Sequence, residues 1–304
     1  MNYMESKNGF VAIVGLPNVG KSSLINSLMG QKISIVSSKP QTTRTRILGV
    51  LTRNETQLVF IDTPGILTPK TELGKYMEKS IFSSVSSVDI ALLVVDANRS
   101  IKNEELKLLD KLKTIKIPII LAINKIDLIN DKTLLLKKLT EFSKLYDFKA
   151  IVPISAKKKD GLNSLLDELV SLAIPGIHFF DDDTLTDQPE KVIVAEIIRE
   201  KILRLIDKEI PHGIAVAIES MKERQNKSLM DISAVIYCDK ENHKKIIIGK
   251  NGNMLKNIGS KARKDIEMFL DIKINLNLWV KVKENWKNKV TLLKNFGYDS
   301  RNLE

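Results

Sequence analysis

Residues 10–29 read FVAIVGLPNVGKSSLINSLM. An apolar run, Phe10–Val14, leads into the octapeptide Gly15–Ser22, and Leu24, Ile25, Leu28 and Met29 follow at helical spacing. The octapeptide fits GxxxxGK[ST], with a buried strand before it and a helix after it, the context that makes it a phosphate-gripping loop. Gly15 and Gly20 let the backbone turn tightly, so that successive N–H groups point at one anion. The helix starting near Lys21 adds the positive end of its dipole. Lys21 has the reach for the β- and γ-phosphates, and Ser22 carries a hydroxyl for Mg²⁺. Gly15, Pro17, Asn18, Val19, Gly20, Lys21, Ser22 and Ser23 are therefore the first binding residues.

Outward from this loop, five more apolar strands recur: Arg46–Leu51, Leu58–Ile61, Ile90–Val95, Ile117–Ile123 and Ile151–Ile154. Amphipathic helical stretches fall near 21–29, 73–86, 103–114, 132–145 and 161–173. Alternation of near-continuous apolar strands with helices predicts a mostly parallel six-stranded sheet covered on both faces. In such sheets ligands bind beyond the carboxyl ends of the strands.

Those ends carry matching chemistry. Leu58–Ile61 runs into Asp62-Thr63-Pro64-Gly65. An aspartate there can hold Mg²⁺ through a water, and Gly65 lets its N–H approach a γ-phosphate. Ile117–Ile123 runs into Asn124-Lys125-Ile126-Asp127. A carboxylate only accepts hydrogen bonds, and guanine offers two adjacent donors, N1–H and the 2-amino group, which adenine lacks. Asp127 thus selects GTP. Asn124 ties the base loop to the phosphate loop, and the Lys125 stem lies along the base. Ile151–Ile154 runs into Ser155-Ala156-Lys157, whose Ala156 N–H is within reach of guanine O6. Between the first helix and second strand lies the polar loop Ser37–Arg44. One of its threonines, Thr43 in preference to Thr42, supplies the second Mg²⁺ hydroxyl. Without nucleotide such a loop is expected to be disordered. The expected metal set is Ser22, Thr43 and Asp62, and the expected catalytic set is Lys21, Thr43, Gly65 and Asn18.

The chain has 304 residues, 43% hydrophobic, a length that predicts two domains. No run approaches a membrane span, and MNYMESKNG lacks the basic-then-apolar pattern of a signal peptide. Cys238 stands alone, so no internal disulfide or cysteine metal cluster is expected, and its alternating strand predicts a buried small hydrophobe. A cytoplasmic location fits. The net charge of +11 predicts a polyanionic partner, nucleic acid or an anionic membrane surface. Residues 240–290 hold 13 Lys+Arg against 5 Asp+Glu, so +8 of that charge lies in one stretch.

Residues 174–191, IPGIHFFDDDTLTDQPEK, break the alternation and read as a linker, with Asp187 and Glu190 as a helix start signal. Then come a helical face of Val194, Ile198, Ile202 and Leu205, a strand with Ile214, Val216 and Ile218, and a basic loop with Lys222, Arg224 and Lys227. A strand ending at Cys238 precedes a short helix over 241–248, which leads to Gly249-Lys250-Asn251-Gly252. The next helix buries Leu255, Ile258, Ala262, Ile266 and Phe269, and a final strand alternates from Ile272 to Val282. Trp279 and Trp286 read as packing residues, and at 5% aromatic content a base-stacking platform is not expected.

GLPNVGKS, QTTR, DTPG, NKID and SAK, in this order over residues 15–157, resemble a small GTPase domain of the translation-factor-like class. Asp62, Thr63, Pro64, Gly65, Asn124, Lys125, Asp127, Ser155, Ala156 and Lys157 take nucleotide-binding roles in that resemblance. Ile66 stands where Ras-like proteins carry a water-orienting glutamine, and isoleucine cannot hydrogen-bond a water. Slow unaided turnover follows. In similar bacterial GTPases an asparagine at the position of Asn18 is associated with a K⁺ ion in the arginine-finger role. The order helix–strand–strand–helix–GKNG–helix–strand resembles an α+β type II KH domain. Two glycines let backbone approach backbone, helix N-terminal amides meet phosphate, and bases lie in an adjacent groove. Ile248, Gly249, Lys250, Asn251 and Gly252, with Lys244, Lys245, Lys256 and Lys261, are the candidate RNA contacts.

An α/β P-loop GTPase domain (1–174), a linker (175–190) and a type II KH domain with C-terminal tail (191–304) together resemble the bacterial Era family. That resemblance implies a monomeric GTP/GDP- and Mg²⁺-dependent switch that binds 16S rRNA near its 3′ end. It further implies assistance to 30S subunit maturation and peripheral association with the inner membrane. The competing readings are a membrane-surface signalling GTPase and, less favoured, a binding protein with a dead nucleotide site. No basic amphipathic helix with an aromatic face supports the first. The presence of Lys21, Ser22, Asp62 and Asp127 speaks against the second.

Overall fold

The structure is a computed structural model that describes residues 6–37, 39, 42–65, 71–86, 88–206, 213–225 and 228–298. Ser38, Pro40, Gln41, Ile66 and Lys227, named above, lie outside the described residues.

The first half is β1 (Lys7–Val14), α1 (Lys21–Met29), β2 (Ile47–Arg53), β3 (Thr56–Asp62), α2 (Glu72–Ser86), β4 (Ile90–Asp96), α3 (Asn103–Lys113), β5 (Ile119–Asn124), α4 (Lys132–Ser143), β6 (Ala150–Ile154) and α5 (Leu162–Ser171). The six strands lie in the order β2-β3-β1-β4-β5-β6. All neighbours run parallel except the β2–β3 pair. Every residue of β3, β4 and β5 is buried, because one core forms under α1 and α5 and a second under α3 and α4. Each large apolar side chain so placed contributes roughly 1.5–3 kcal/mol.

Two findings depart from a plain linker over 174–191. Ile174–Pro175 forms β7, antiparallel to β1. Beyond it the chain is strapped onto the sheet. Asn8 Nδ2 donates to Ile177 O (2.7 Å). Buried Gln57 turns its amide onto the strap: Oε1 accepts from Phe179 N (2.8 Å) and Phe180 N (3.0 Å), and Nε2 donates to Phe180 O (2.9 Å) as well as to Thr52 Oγ1 of β2 (3.2 Å). Val50 N donates to Leu185 O (2.9 Å) and Thr186 Oγ1 to Leu48 O (2.6 Å), stitching the strap to edge strand β2. A polar Gln57 inside an otherwise apolar strand was the one sequence sign of this.

The second half is α6 (Glu190–Leu205), β8 (Ile214–Glu223), β9 (Leu229–Cys238), α7 (Glu241–Ile248), α8 (Asn253–Leu270), β10 (Lys273–Val282) and α9 (Val290–Asn295). Its sheet has the order β10-β9-β8, with β9 antiparallel to β8 and parallel to β10. Helix α6 starts after Pro189 with no side-chain cap, and Asp187 Oδ1 accepts instead from Gln188 Nε2 (2.9 Å), so the expected Asp187–Glu190 start signal is corrected. Pro189 occupies the N-cap position, and the Asp187 carboxylate, spent on its neighbour, caps no helix amide. Cys238 is buried, and burial pushes its thiol up to about 11. Trp286 is fully buried and donates to Gly213 O (3.0 Å), as a packing residue should. Trp279 does not follow the packing expectation. It is 49% exposed, on the outer side of β10, which no helix covers there.

The halves meet along α6 and α2. Val194, Ile198 and Ile202 of α6 enter the core of the second half, while its charged Arg199, Glu200 and Lys201 are also buried, the first two in contact with the first half. Leu73, Tyr76 and Met77 of α2 share a cluster with Ala215, Trp286, Leu293 and Tyr298.

Candidate nucleotide site and nucleic-acid interface

The carboxyl ends of β1, β3, β4 and β5 open onto a cavity of about 340 Å³, walled by Pro17, Asn18, Gly20–Ser23, Ile35–Ser37, Lys39, Thr42, Thr43, Gly65, Arg99 and Lys125. Gly20 has φ +104°, and a Cβ there would stand 2.3 Å from Asn124 Nδ2, so only glycine lets the phosphate loop pass the base loop this closely. Asn124 Nδ2 donates to Val19 O (2.9 Å), the tie between loops that the sequence predicts. Lys21 is buried, with Nζ on Gly15 O (3.0 Å) and Leu16 O (3.1 Å). Burial pushes its ammonium down to about 8, against the pull of Asp62. At neutral pH it remains a cation aimed along the floor of the loop.

Three hydroxyls converge on Asp62. Ser22 Oγ donates to Oδ2 (2.8 Å), Ser34 Oγ donates to Oδ2 (2.9 Å), and Thr43 Oγ1 lies 3.5 Å from Oδ2 and 2.8 Å from Ser22 Oγ. Burial raises the Asp62 carboxyl, opposed by Lys21 and these donors. Its Oδ1 is buried with no hydrogen-bond partner among the described residues. An orphaned carboxylate oxygen beside two hydroxyls is a hard, oxygen-only donor set that fits Mg²⁺. Thr42 Oγ1 is turned away onto Lys39 O (2.6 Å). Disorder was expected of loop 37–44 without nucleotide. Its described residues instead have defined partners, several from the second half of the chain.

On the base side, Ser155 Oγ donates to Asp127 Oδ1 (2.5 Å) and fixes the carboxylate just beyond the end of β5. Lys125 Nζ bridges Asn18 O (2.6 Å) and Asp96 Oδ2 (2.7 Å), which pins its stem alongside the base position. Lys157 is exposed. One assignment needs correction: Ala156 N–H donates to Asn124 Oδ1 (3.0 Å), so guanine O6 has to compete for it. The cause is that Asn124 uses its oxygen on Ala156 N and Lys125 N while its amide holds Val19.

Sequence reading missed Ser34, Asp96 and Arg99. Asp96 ends β4, and Arg99 Nε lies 3.3 Å from Asp96 Oδ2 at the cavity wall. The strand-end rule applied to β4 points to both. Ser34 gives no sequence signal.

The second site lies between α7, the turn Lys250–Gly252, α8 and β10. Gly252 has φ +77° and open space around it. Lys245, Lys250, Lys256 and Lys261 are exposed, Lys244 is half-buried, and none has a carboxylate partner among the described residues. Ile248 precedes the turn and Asn251 stands at its centre with a left-handed φ of 52°. Beside it runs a cleft of about 540 Å³, lined by Gly252, Leu255, Lys256, Gly259, Ser260 and Arg263 of the α8 side and Asn275, Leu276 and Leu278 of β10. Ser260, Arg263 and Asn275 escaped sequence reading, because the pairing of α8 with β10 is a tertiary fact. A cationic, apolar-floored groove of this kind takes a single nucleic-acid strand by phosphate contacts and base burial. Gly252→Asp puts an anion at its mouth, on a residue type that tolerates a left-handed φ. RNA affinity in filter binding is expected to fall on the order of tenfold or more, with phosphate release from GTP unchanged.

A glycine loop, a convergent Asp–Ser–Thr set and the Asn124–Asp127 loop at the strand ends of one α/β domain, followed by a GKNG groove, define a P-loop GTPase with an appended KH domain. Residues 10–125 match the family described as "50S ribosome-binding GTPase" and residues 209–287 match the KH domain family. GTPase Era of Ruminiclostridium cellulolyticum is 53% identical over 97% of this chain and 98% of its own length. GTPase Era of Clostridioides difficile is 50% identical over 97% and 99%. The crystal structure of a point variant of Aquifex aeolicus Era bound to GDP·AlF4⁻ superposes with TM-score 0.93 at 40% identity, covering 96% of this chain and 99% of that one. A structure of Era with MgGDPNP and nucleotides 1506–1542 of 16S ribosomal RNA gives the same values. The chain belongs to the GTPase Era family. Among the described residues, no helix is long and apolar enough to cross a membrane.

Proposed function

We propose that this chain binds GTP with Mg²⁺, hydrolyses it slowly, and uses the nucleotide state to control binding of the 3′ region of 16S rRNA during 30S subunit maturation. The observation that carries this reading is the full-length likeness to an Era structure holding MgGDPNP and 16S nucleotides 1506–1542. The domains are read as 1–174 for GTP, 175–190 as connector and 191–304 for RNA. Lys21 and the loop amides hold the phosphates, Gly65 N–H meets the γ-phosphate, Asp127 reads guanine, and Ser22, Thr43 and Asp62 hold the metal. Mg²⁺, when bound, neutralises charge that develops on the β- and γ-oxygens. Phosphoryl transfer asks little covalent chemistry of the protein, so these residues act by position and charge. Lys244, Lys245, Lys250 and Lys256, with the 248–252 turn, hold the RNA backbone.

The described residues of loop 37–44 border the nucleotide cleft and also meet the second domain, on which α2 packs as well. This supports coupling: a 16S 3′ fragment is expected to bind more tightly with a GTP analogue than with GDP, and equal affinities would remove the coupling alone. Crosslinking in cells with sequencing of attached RNA is expected to recover the 16S 3′ end, and a scattered profile counts against the target. Asn18 supports K⁺-assisted turnover. Phosphate release is expected to be faster in K⁺ than in Na⁺ buffer, and equal rates end that idea. We place the monomeric protein in the cytoplasm, with peripheral contact to anionic membrane through its lysine-rich face. Co-sedimentation with anionic vesicles checks that contact.

A further inference from the structure

Segment 36–44 carries Thr43 over the metal position, and its other side is gripped by α6 and the residues just after it. Glu200 Oε1 accepts from Val36 N (3.0 Å). Arg204 donates twice to Val36 O, from Nε (3.0 Å) and Nη2 (2.9 Å). Arg199 Nη2 donates to Thr42 O, and Lys39 Nζ donates to Ile206 O. On the far side of Thr43, the Arg44 guanidinium is buried with Nη1 on Ile214 O (2.6 Å), 5.7 Å from the Trp286 ring centroid. The grip is built from buried charge. Glu200 is 0% and Arg199 1% exposed. Glu200 is neutralised by Lys32, Lys201 and Arg204, and Arg199 by both oxygens of Glu196. Buried charges are tolerated only with such partners in place.

We propose that Arg199, Glu200 and Arg204 are positioning residues for the nucleotide cleft: by holding 36–44 in place they present Thr43 to the metal and favour the triphosphate over the diphosphate. This rests on the reading that the cleft takes Mg²⁺ and GTP. Segments of this kind are drawn in by the γ-phosphate and its metal and released after hydrolysis. A clamp that holds the drawn-in position therefore acts on the triphosphate state and leaves diphosphate affinity alone. A conformational bias can discriminate ligands only through such a differential contact. Reciprocity follows: the triphosphate must tighten the docking of the RNA-binding domain by the same factor.

The test is equilibrium binding of fluorescent GDPNP and GDP to the full chain across a Mg²⁺ titration, in the parent and in Arg199→Ala, Arg199→Lys and Arg204→Ala. Arg204 is half exposed, so its variant keeps the test open should Arg199→Ala fail to fold. GDPNP affinity is expected to fall on the order of tenfold, the scale of one lost charge-assisted hydrogen bond, with GDP within about twofold. The Mg²⁺ needed for GDPNP binding is expected to rise, and Arg199→Lys to recover part of the loss. Equal losses for both nucleotides, or unchanged GDPNP affinity in variants that melt with the parent, overturn the clamp. A parent chain that binds neither nucleotide overturns the cleft reading beneath it.

Discussion

Lys21→Ala is expected to reduce nucleotide affinity by at least about a hundredfold and to bring GTP hydrolysis to background, while the 16S fragment still binds. Lys21 is buried at the floor of the loop, with Nζ satisfied by Gly15 O and Leu16 O. Bound phosphates take over that ammonium, and each charge-assisted hydrogen bond is worth roughly 1.5–3 kcal/mol. Alanine leaves both the β- and γ-phosphate without it. Isothermal titration with GDPNP and a phosphate-release assay read the loss, and retained hydrolysis would sink the assignment. The same residue gives the nucleotide-free protein a pH signature. The ammonium ordinarily titrates at 10.5 and burial brings it to about 8 in the fold. Between these values the unfolded chain holds more protons than the folded one, so Lys21 makes stability rise with pH across that window. In Lys21→Ala that component of the rise is expected to vanish from melts recorded at successive pH values.

Asp127→Asn is expected to weaken GTP by roughly 10²–10⁴-fold, because the amide sets a donor against the 2-amino group while the bond to N1–H loses its charge assistance. Xanthine carries an oxygen where guanine carries the amino group. An asparagine amide donates to that oxygen while its own oxygen still accepts from N1–H, so XTP affinity is expected to rise. Ser155 Oγ, 2.5 Å from Asp127 Oδ1, fixes where the side chain stands and makes the swap a clean exchange of acceptor for donor. Competition of GTP and XTP for one fluorescent nucleotide measures both arms. Unchanged GTP affinity would move base recognition to another residue.

Much of the nucleotide cleft was legible because its groups sit at strand ends, where the hydrophobic pattern stops within a residue of the motif. Asp62 closes β3 and Asn124 closes β5, so reading the apolar run locates the chemistry. The same rule went unused at β4, and Asp96 and Arg99 were missed. Ser34 was out of reach for a different reason. It lies in an irregular stretch after α1, and only folding brings its hydroxyl to a carboxylate 28 residues away. The Ala156 correction is of the same kind, since sequence reads a free N–H but not that Asn124 Oδ1 has taken it.

The sequence alone determined the α/β alternation, the glycine loop, the guanine-reading carboxylate and the GKNG turn. Each is carried by a few adjacent residues whose periodicity or backbone freedom is local. Tertiary structure decided what those parts are joined to. It brought the hydroxyl of Thr43, the threonine favoured on sequence, to Ser22 and turned that of Thr42 onto Lys39 O. It laid residues 174–186 along β1, β3 and β2. It buried the charged side of α6, which helical periodicity reads as a solvated face, because Thr42 and Val36 meet it across 157 and 168 residues of chain. Partners at that separation leave no pattern in either segment, since the groups that α6 meets in the first half are backbone atoms of Val36 and Thr42 and the lone ammonium of Lys32.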